Sequence, residues 1–223
     1  HRRAHSLHAD AERVASSPGE VMISAVVLAA GRSRRMGTQK LLLPWGETTV
    51  IGHIVDQLLS TPLSHVRIVV GRDAEGVTGA LAGRPVSWVT NPQPQGDMLS
   101  SVRCALQVLP LDCEAALVVL GDQPRITGTL VSDMLRVFET GDQQILVPFC
   151  QGRRGHPMLF SRCYFEEVLN QYEDVGLRGL LQAHGSEVCE WPVSTPAVLM
   201  DMDTPREYQR ERRRAADVGD ALT

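Results

Sequence analysis

Residues 28–40 read Leu-Ala-Ala-Gly-Arg-Ser-Arg-Arg-Met-Gly-Thr-Gln-Lys, and residues of these types at this spacing suit the binding of a polyanion. Gly31 and Gly37 permit close backbone approach and leave amide N–H groups open to phosphate oxygens. Arg32, Arg34, Arg35 and Lys40 supply the positive charge that a triphosphate needs, and Leu28, Ala29, Ala30 and Ser33 complete the expected cradle. Five residues separate Gly31 from Gly37 and Lys40 lies three beyond, so the loop is neither GxxxxGK followed by Ser or Thr nor GxGxxG. A solvated basic turn is the competing account. The apolar run directly before the loop and the lysine after it weigh against that account.

Four other places carry polar groups that could serve a site. Asp122 stands in Gly121-Asp-Gln-Pro124 at the end of an apolar run, where an ordinary turn explains it equally well. Asp201 and Asp203 lie in Asp201-Met-Asp-Thr-Pro205, where the alternative is compensation of the dipole of a following helix. His156, in Gly155-His-Pro157, follows Arg153 and Arg154; a lone histidine is often structural, and hairpin arginines are often only solvated. Ser100 and Ser101 open an apolar segment, and either would also serve as a helix cap.

The elements that must hold these groups follow an alternating rhythm. Ile23–Ala30 is a continuous apolar, β-branched run, as expected of a strand buried on both faces, and it delivers the chain straight into the basic loop. Thr48 and Thr49 can cap a helix whose apolar positions run from Val50 to Leu59, ended by Pro62. Strands are expected at Val66–Gly71, Val86–Thr90 and Ala115–Gly121, with a weak helix between the first two, a helix over Ser100–Val108 and another over Thr127–Thr140. The predicted fold is therefore α/β, a Rossmann-like doubly wound and mostly parallel sheet. In the second half, Gln144–Phe149 and His156–Phe160 read as a small β-hairpin excursion joined by residues 151–155. Two short helices (Ser161–Asn170 and Gly176–His184), a strand near Glu187–Val193 and a short strand at Ala197–Met200 come next. Thr204, Pro205 and Glu207 then form a capping box that opens the last helix.

Composition narrows the functional classes. Apolar residues make up 43% of the 223 and aromatics 4%, so an aliphatic core beneath helices on a parallel sheet is favoured. A net charge of −4 argues against a general nucleic-acid surface. The five cysteines form no CxxC pair and no zinc spacing, and read as reduced thiols in a cytoplasmic setting. No apolar stretch approaches the roughly 20 residues of a membrane-spanning helix, so no membrane partner is expected. The expected layout is a flexible extension over 1–21, one domain over 22–210 and a polar tail over 211–223.

Taken together, LAAGRSRRMGTQKLLLPWG (28–46), LGDQP (120–124), GRRGHPMLF (152–160) and DMDTPREY (201–208) resemble the molybdenum cofactor cytidylyltransferase group of the molybdopterin nucleotidyltransferase family. The resemblance implies a sheet of the nucleotide-diphospho-sugar transferase type. It also implies transfer of CMP from CTP, or of a guanylyl group from GTP in the sister group, to the terminal phosphate of molybdopterin. By it, the 28–40 loop holds the triphosphate with Lys40 as its main cation and Arg35 assisting. Asp122 and Asp203 become ligands of a magnesium ion, which accepts two carboxylates together with phosphate oxygens and water. His156 falls on the acceptor side as a positioning group, and Ser100 and Ser101 near the base and ribose, although Asp97 is an extra residue beside Gly96 relative to the family pattern. Ala29-Ala30-Gly31, where the guanylyl group tends to carry Ala-Gly-Gly, tilts the expectation toward CTP. A molybdenum hydroxylase or its chaperone is the protein partner implied. Three alternatives stay open at this point: another base or acceptor, an NAD(P)-dependent oxidoreductase, and a molybdenum cofactor carrier without turnover.

Overall fold

The computed structural model describes residues 21–31, 39–72, 74–93 and 97–220, with 216–220 as backbone alone. The N-terminal extension expected over 1–21 lies, but for Val21, outside the described residues, as do loop positions 32–38. The chain opens with β1 (Ile23–Ala29), passes a short 3-10 turn (Lys40–Leu42) and the two-stranded pair β2 (Pro44–Trp45) and β3 (Thr48–Thr49), and enters α1 (Val50–Leu59). Then come β4 (His65–Val70), α2 (Glu75–Ala80), β5 (Ser87–Thr90), α3 (Met98–Leu106), β6 (Ala115–Leu120) and α4 (Gly128–Thr140). The second half holds β7 (Ile145–Cys150), β8 (Arg153–Arg154), β9 (Met158–Ser161), α5 (Phe165–Asn170), α6 (Leu177–Ala183), β10 (Val188–Pro192) and α7 (Pro205–Asp220).

The main sheet runs β10-β7-β9-β6-β1-β4-β5, with β8 attached to β7. β6, β1, β4 and β5 are mutually parallel, as are β7 and β10, whereas β9 lies antiparallel to both of its neighbours. The sheet is thus mixed and mostly parallel. The hairpin expected from Gln144–Phe149 and His156–Phe160 is present as the antiparallel pair of β7 and β9, with β8 in the connection also pairing with β7, and it is no excursion, because β9 is built into the main sheet between β6 and β7.

Alternation along β1 divides the core. Ala25 and Val27 face one layer with Val50, Ile51, Ile54 and Leu58 of α1 and Val131, Met134 and Leu135 of α4. Val26 faces the other, with Leu99, Val102 and Leu106 of α3, Val168 of α5 and Leu180 of α6. Helices therefore cover both faces, which is why β1 and β6 are apolar at nearly every position.

Two expectations and one alternative differ from the structure. Ala197–Met200 is not a strand: Pro196–Leu199 forms a 3-10 turn, because the Thr195 hydroxyl accepts from the Ala197 amide and Pro196 pre-sets the helical φ. The polar tail expected from 211 is instead continuous helix to Asp220. Glu211 is 1% exposed and accepts from Arg125 at 3.2 Å, which ties the helix back to the turn after β6, and from Arg210 and Arg214 of α7 itself at 3.0 and 3.2 Å. Finally, neither Ser100 nor Ser101 caps α3; the Asp97 carboxylate does, accepting from the Ser100 amide at 2.8 Å.

Candidate active site

In an open α/β sheet, ligands bind beyond the carboxyl ends of the strands, beside the strand from which the winding departs in both directions. Here that strand is β1, flanked by β4 and β6. Leu28, Ala29 and Ala30 end it and lead to the exposed Gly31. The Gly121 amide donates to the Leu28 carbonyl at 3.1 Å, and a Cβ at 121 would stand 2.7 Å from that oxygen, so glycine is what lets the ends of β1 and β6 close together. Asp122 therefore leaves β6 directly beside the point where the basic loop leaves β1.

Lys40 is brought back to the same place by the 3-10 turn it opens. Leu41 is buried beneath it, and the Leu43 and Val50 amides donate to the Lys40 and Leu43 carbonyls at 3.3 and 2.9 Å. The Lys40 Nζ donates to Asp122 Oδ2 at 2.5 Å and to Asp203 Oδ1 at 2.8 Å. Burial alone would lower the Lys40 pKa, but the two carboxylates outweigh it and hold the ammonium charged, above its usual range. Burial pushes the Asp122 carboxyl up, against the pull of Lys40 and with help from Asp201 and Asp203. A carboxylate so placed gains from any cation brought to it.

The Asp201–Asp203 segment is fixed from both ends. The Met202 amide donates to the Asp122 carbonyl at 3.3 Å, and the buried Gln123 side chain donates to Asp201 Oδ1 at 2.7 Å. On the other side, Glu207 accepts from the Asp203 and Thr204 amides at 2.9 and 2.8 Å, while the Thr204 hydroxyl accepts from the Glu207 amide at 3.3 Å. The expected capping box is thus formed by Thr204 and Glu207. Because they satisfy the helix start, the Asp203 carboxylate is turned to Lys40 instead.

His156 enters from the β8–β9 connection, where its amide donates to the Val198 carbonyl at 2.9 Å and Gly155 packs so closely that a Cβ would meet the same oxygen at 2.3 Å. Burial pushes the imidazole below its ordinary pKa, although Asp122 nearby acts in the opposite sense. Its Nδ1 is buried and has no hydrogen-bond partner among the described residues.

The structure thus gathers Lys40, Asp122, Asp203 and His156 with the end of β1. Ser100 and Ser101 lie in the first turn of α3, where both hydroxyls accept from the buried Asn91 side chain at 2.9 and 3.0 Å. Arg154 lies on β8 and is paired with Glu190 at 2.7 Å, with Arg153 exposed beside it. Arg32, Ser33, Arg34, Arg35 and Gly37 lie outside the described residues. Sequence reasoning missed Gln123 and Asn91. Gln123 sat inside the Gly-Asp-Gln-Pro motif, and Asn91 directly follows a strand; those positions were the available signals.

Among the described residues, no three His, Cys, Asp or Glu side chains form a metal-holding group of their own. The pair Asp122 and Asp203 nonetheless suits a hard divalent ion of the magnesium type, which takes one or two carboxylates and completes its shell with phosphate oxygens and water. An ammonium spanning both carboxylates shows that they converge on one cation position.

The MobA-like NTP transferase domain matches residues 25–188, from within β1 to the start of β10. The chain belongs to that family. The molybdenum cofactor cytidylyltransferase of Escherichia coli K12 is 24% identical over 198 residues, covering 88% of this chain and 98% of its own. The bifunctional protein GlmU of Mycolicibacterium paratuberculosis is 33% identical over 129 residues, and the match covers 54% of this chain but only 26% of GlmU. Among solved structures, Rv0371c of Mycobacterium tuberculosis H37Rv superposes with a TM-score of 0.78 at 30% identity, covering 86% of this chain and 98% of that one. The same protein has been solved as a manganese complex, with a TM-score of 0.73 at 29% identity, covering 85% of this chain and 97% of that one. No helix among the described residues of this MobA-like domain is long and apolar enough to cross a membrane.

Proposed function

We propose that this MobA-like nucleotidyltransferase transfers CMP from CTP to the terminal phosphate of molybdopterin and releases pyrophosphate. The observation that carries the reading is the convergence of Lys40, Asp122 and Asp203 on one point beyond the ends of β1 and β6. The Escherichia coli relative supports the acceptor, and Ala29-Ala30-Gly31 supports the base.

The reaction is a displacement at phosphorus. An oxygen of the acceptor phosphate forms a bond to the α-phosphorus of CTP as the bond from that phosphorus to the pyrophosphate oxygen breaks. A phosphomonoester has its second pKa near ~6, so the acceptor is already an anion at neutral pH and needs no base. The remaining task is to bring one polyanion to another in line, which is positioning and charge neutralisation. Lys40 offsets triphosphate charge, with Arg32, Arg34 and Arg35 as further cations of the loop and the Gly31 and Gly37 backbone as its cradle. Asp122 and Asp203 hold a divalent ion, Mg2+ in this reading, and the manganese complex of Rv0371c supports a divalent metal in the family. When bound, that ion supplies Lewis-acid stabilisation of phosphoryl oxygens. His156, with an uncommitted ring nitrogen, orients the acceptor, while Ser100 and Ser101, fixed by Asn91, line the nucleoside side.

The deciding measurement is pyrophosphate release with CTP, GTP and ATP in separate reactions, each with molybdopterin and magnesium. Release with CTP alone is expected. Release with GTP alone would overturn the base, and no release with any of the three would overturn the acceptor.

A further inference from the structure

Lys40 is the chain's single lysine among 22 basic residues. It pairs at once with two carboxylates that lie 82 and 163 positions away in sequence, Asp122 Oδ2 at 2.5 Å and Asp203 Oδ1 at 2.8 Å. The Lys40 and Asp122 side chains are only 13% and 19% exposed, so solvent does little to screen that pair, while Asp203 at 46% stands nearer the solvent. These are the same two carboxylates that the proposed function assigns to the divalent ion. An ammonium and a divalent ion are both hard cations that seek carboxylate oxygen. Placed together on one pair of carboxylates a few ångströms apart, they would repel each other in a poorly screened pocket.

We propose that Lys40 is a displaceable occupant of the ion seat: its ammonium and a divalent ion exclude each other from the Asp122–Asp203 pair. Lys40 must give up both carboxylates for an ion to take them, and the triphosphate offers its ammonium a new partner. This rests on the reading of Asp122 and Asp203 as ion ligands. It follows that nucleotide and ion assist each other's binding by the same factor, since coupling between two ligands is reciprocal. Without nucleotide, Lys40 occupies both acidic groups and keeps the affinity for ions low. A lysine fixed in a permanent salt bridge would behave otherwise, staying in place whether or not an ion is present.

The lysine count makes the test direct, because Lys40 is the one side-chain amine that an acylating reagent can modify. The full chain is treated with an N-hydroxysuccinimide acetate, with and without Mn2+ and CTP, and acetylation of the Lys40 peptide is followed by mass spectrometry. If the carboxylate pair is open to an ion in about one molecule in ten or fewer, saturating Mn2+ alone raises Lys40 acetylation by about tenfold, and adding CTP lowers it again. On the same basis, Lys40→Met binds Mn2+ without nucleotide about tenfold more tightly than the wild-type chain, read from the electron paramagnetic resonance of free Mn2+. The acetylation experiment uses the native chain, so it stands even if the methionine variant folds poorly. Asp122→Asn separates the two ways of failing. If that variant weakens Mn2+ binding but Mn2+ leaves wild-type Lys40 acetylation unchanged, mutual exclusion is overturned while the ion ligands stand. If Asp122→Asn leaves Mn2+ affinity unchanged, the ion does not use this pair, and both readings fall.

Discussion

Replacing Lys40 by alanine isolates the charge on which the proposed chemistry depends. Lys40 is 13% exposed and lies 2.5 and 2.8 Å from two carboxylates, so its charge acts in a partly desolvated pocket. A unit charge about 4 Å from another is worth ~4 kcal/mol at an effective dielectric constant near ~20. Not all of that appears in the rate. In the resting protein the ammonium already satisfies Asp122 and Asp203, and only the excess attraction in the transition state accelerates transfer. Allowing about a third for the lost ground-state pairing leaves ~2.7 kcal/mol, or about 100-fold in turnover. Asp122→Ala is expected to cost a comparable factor. The assay is pyrophosphate release at saturating CTP, molybdopterin and magnesium, with thermal melting to confirm a folded domain. Lys40→Arg keeps the charge but replaces a compact ammonium with a planar fork, and is expected to recover only part of the loss. Turnover of Lys40→Ala within about tenfold of wild type would refute the assignment, because so small a loss is less than ~1.4 kcal/mol.

Three further expectations concern what holds the site in place. Gly155→Ala sets a methyl group 2.3 Å from the Val198 carbonyl, in the turn that leads to Asp203, and should cost ~1–3 kcal/mol of stability and weaken Mn2+ binding in the presence of CTP; an unchanged melting curve would contradict this packing. Glu211→Ala removes a carboxylate that is 1% exposed and leaves Arg125, Arg210 and Arg214 without their shared partner; because those guanidinium groups reach solvent, about 2 kcal/mol is expected in urea unfolding, below the range for a fully buried pair. His184 lies between Glu187 and Glu167 at 3.0 Å from each, and its hydrogen bonds to them raise its pKa above 6.5. A raised folded-state pKa gives stability that is fully present below pH 6.5 and lost as pH rises through the raised value, whereas Glu167 and Glu187, whose pKa values are lowered, lose theirs as pH falls below about 4.5. The stability difference between wild type and His184→Gln should therefore shrink from pH 6 toward alkaline pH, and a difference that grows over that interval would contradict the pairing.

Much of this organisation is legible in the residues themselves. The apolar runs that become β1 and β6 allow little besides buried parallel strands, and Thr49 announces α1 by capping it, its hydroxyl accepting from the Gly52 amide at 3.1 Å. What escapes sequence reasoning is whatever long-range packing decides. A four-residue apolar run such as 197–200 has no period that separates strand from turn; Ala197 and Val198 are buried either way, and Thr195 with Pro196 tips the choice. The arginines after 209 resemble a solvated tail because nothing local shows that Glu211 will be buried against Arg125, 86 positions earlier. Asp97, Ser100 and Ser101 are all competent caps, and because the helix begins at Met98, Asp97 takes the cap while both serines fall inside the first turn, where their hydroxyls accept from Asn91.

The same distinction bears on where the functional unit ends. The family match stops at residue 188, yet Asp203, which supplies the second carboxylate to Lys40, lies beyond it. That carboxylate is held by contacts running back into the matched region: Met202 to the Asp122 carbonyl, Asp201 to Gln123, and the α7 helix to Arg125 through Glu211. All three anchor points fall within residues 122–125, the turn that follows β6. One short segment thus presents Asp122 and also fixes the strap that presents Asp203. A substitution at Gln123 or Arg125 would consequently act on the cation position without touching it, by releasing the strap rather than by removing a charge.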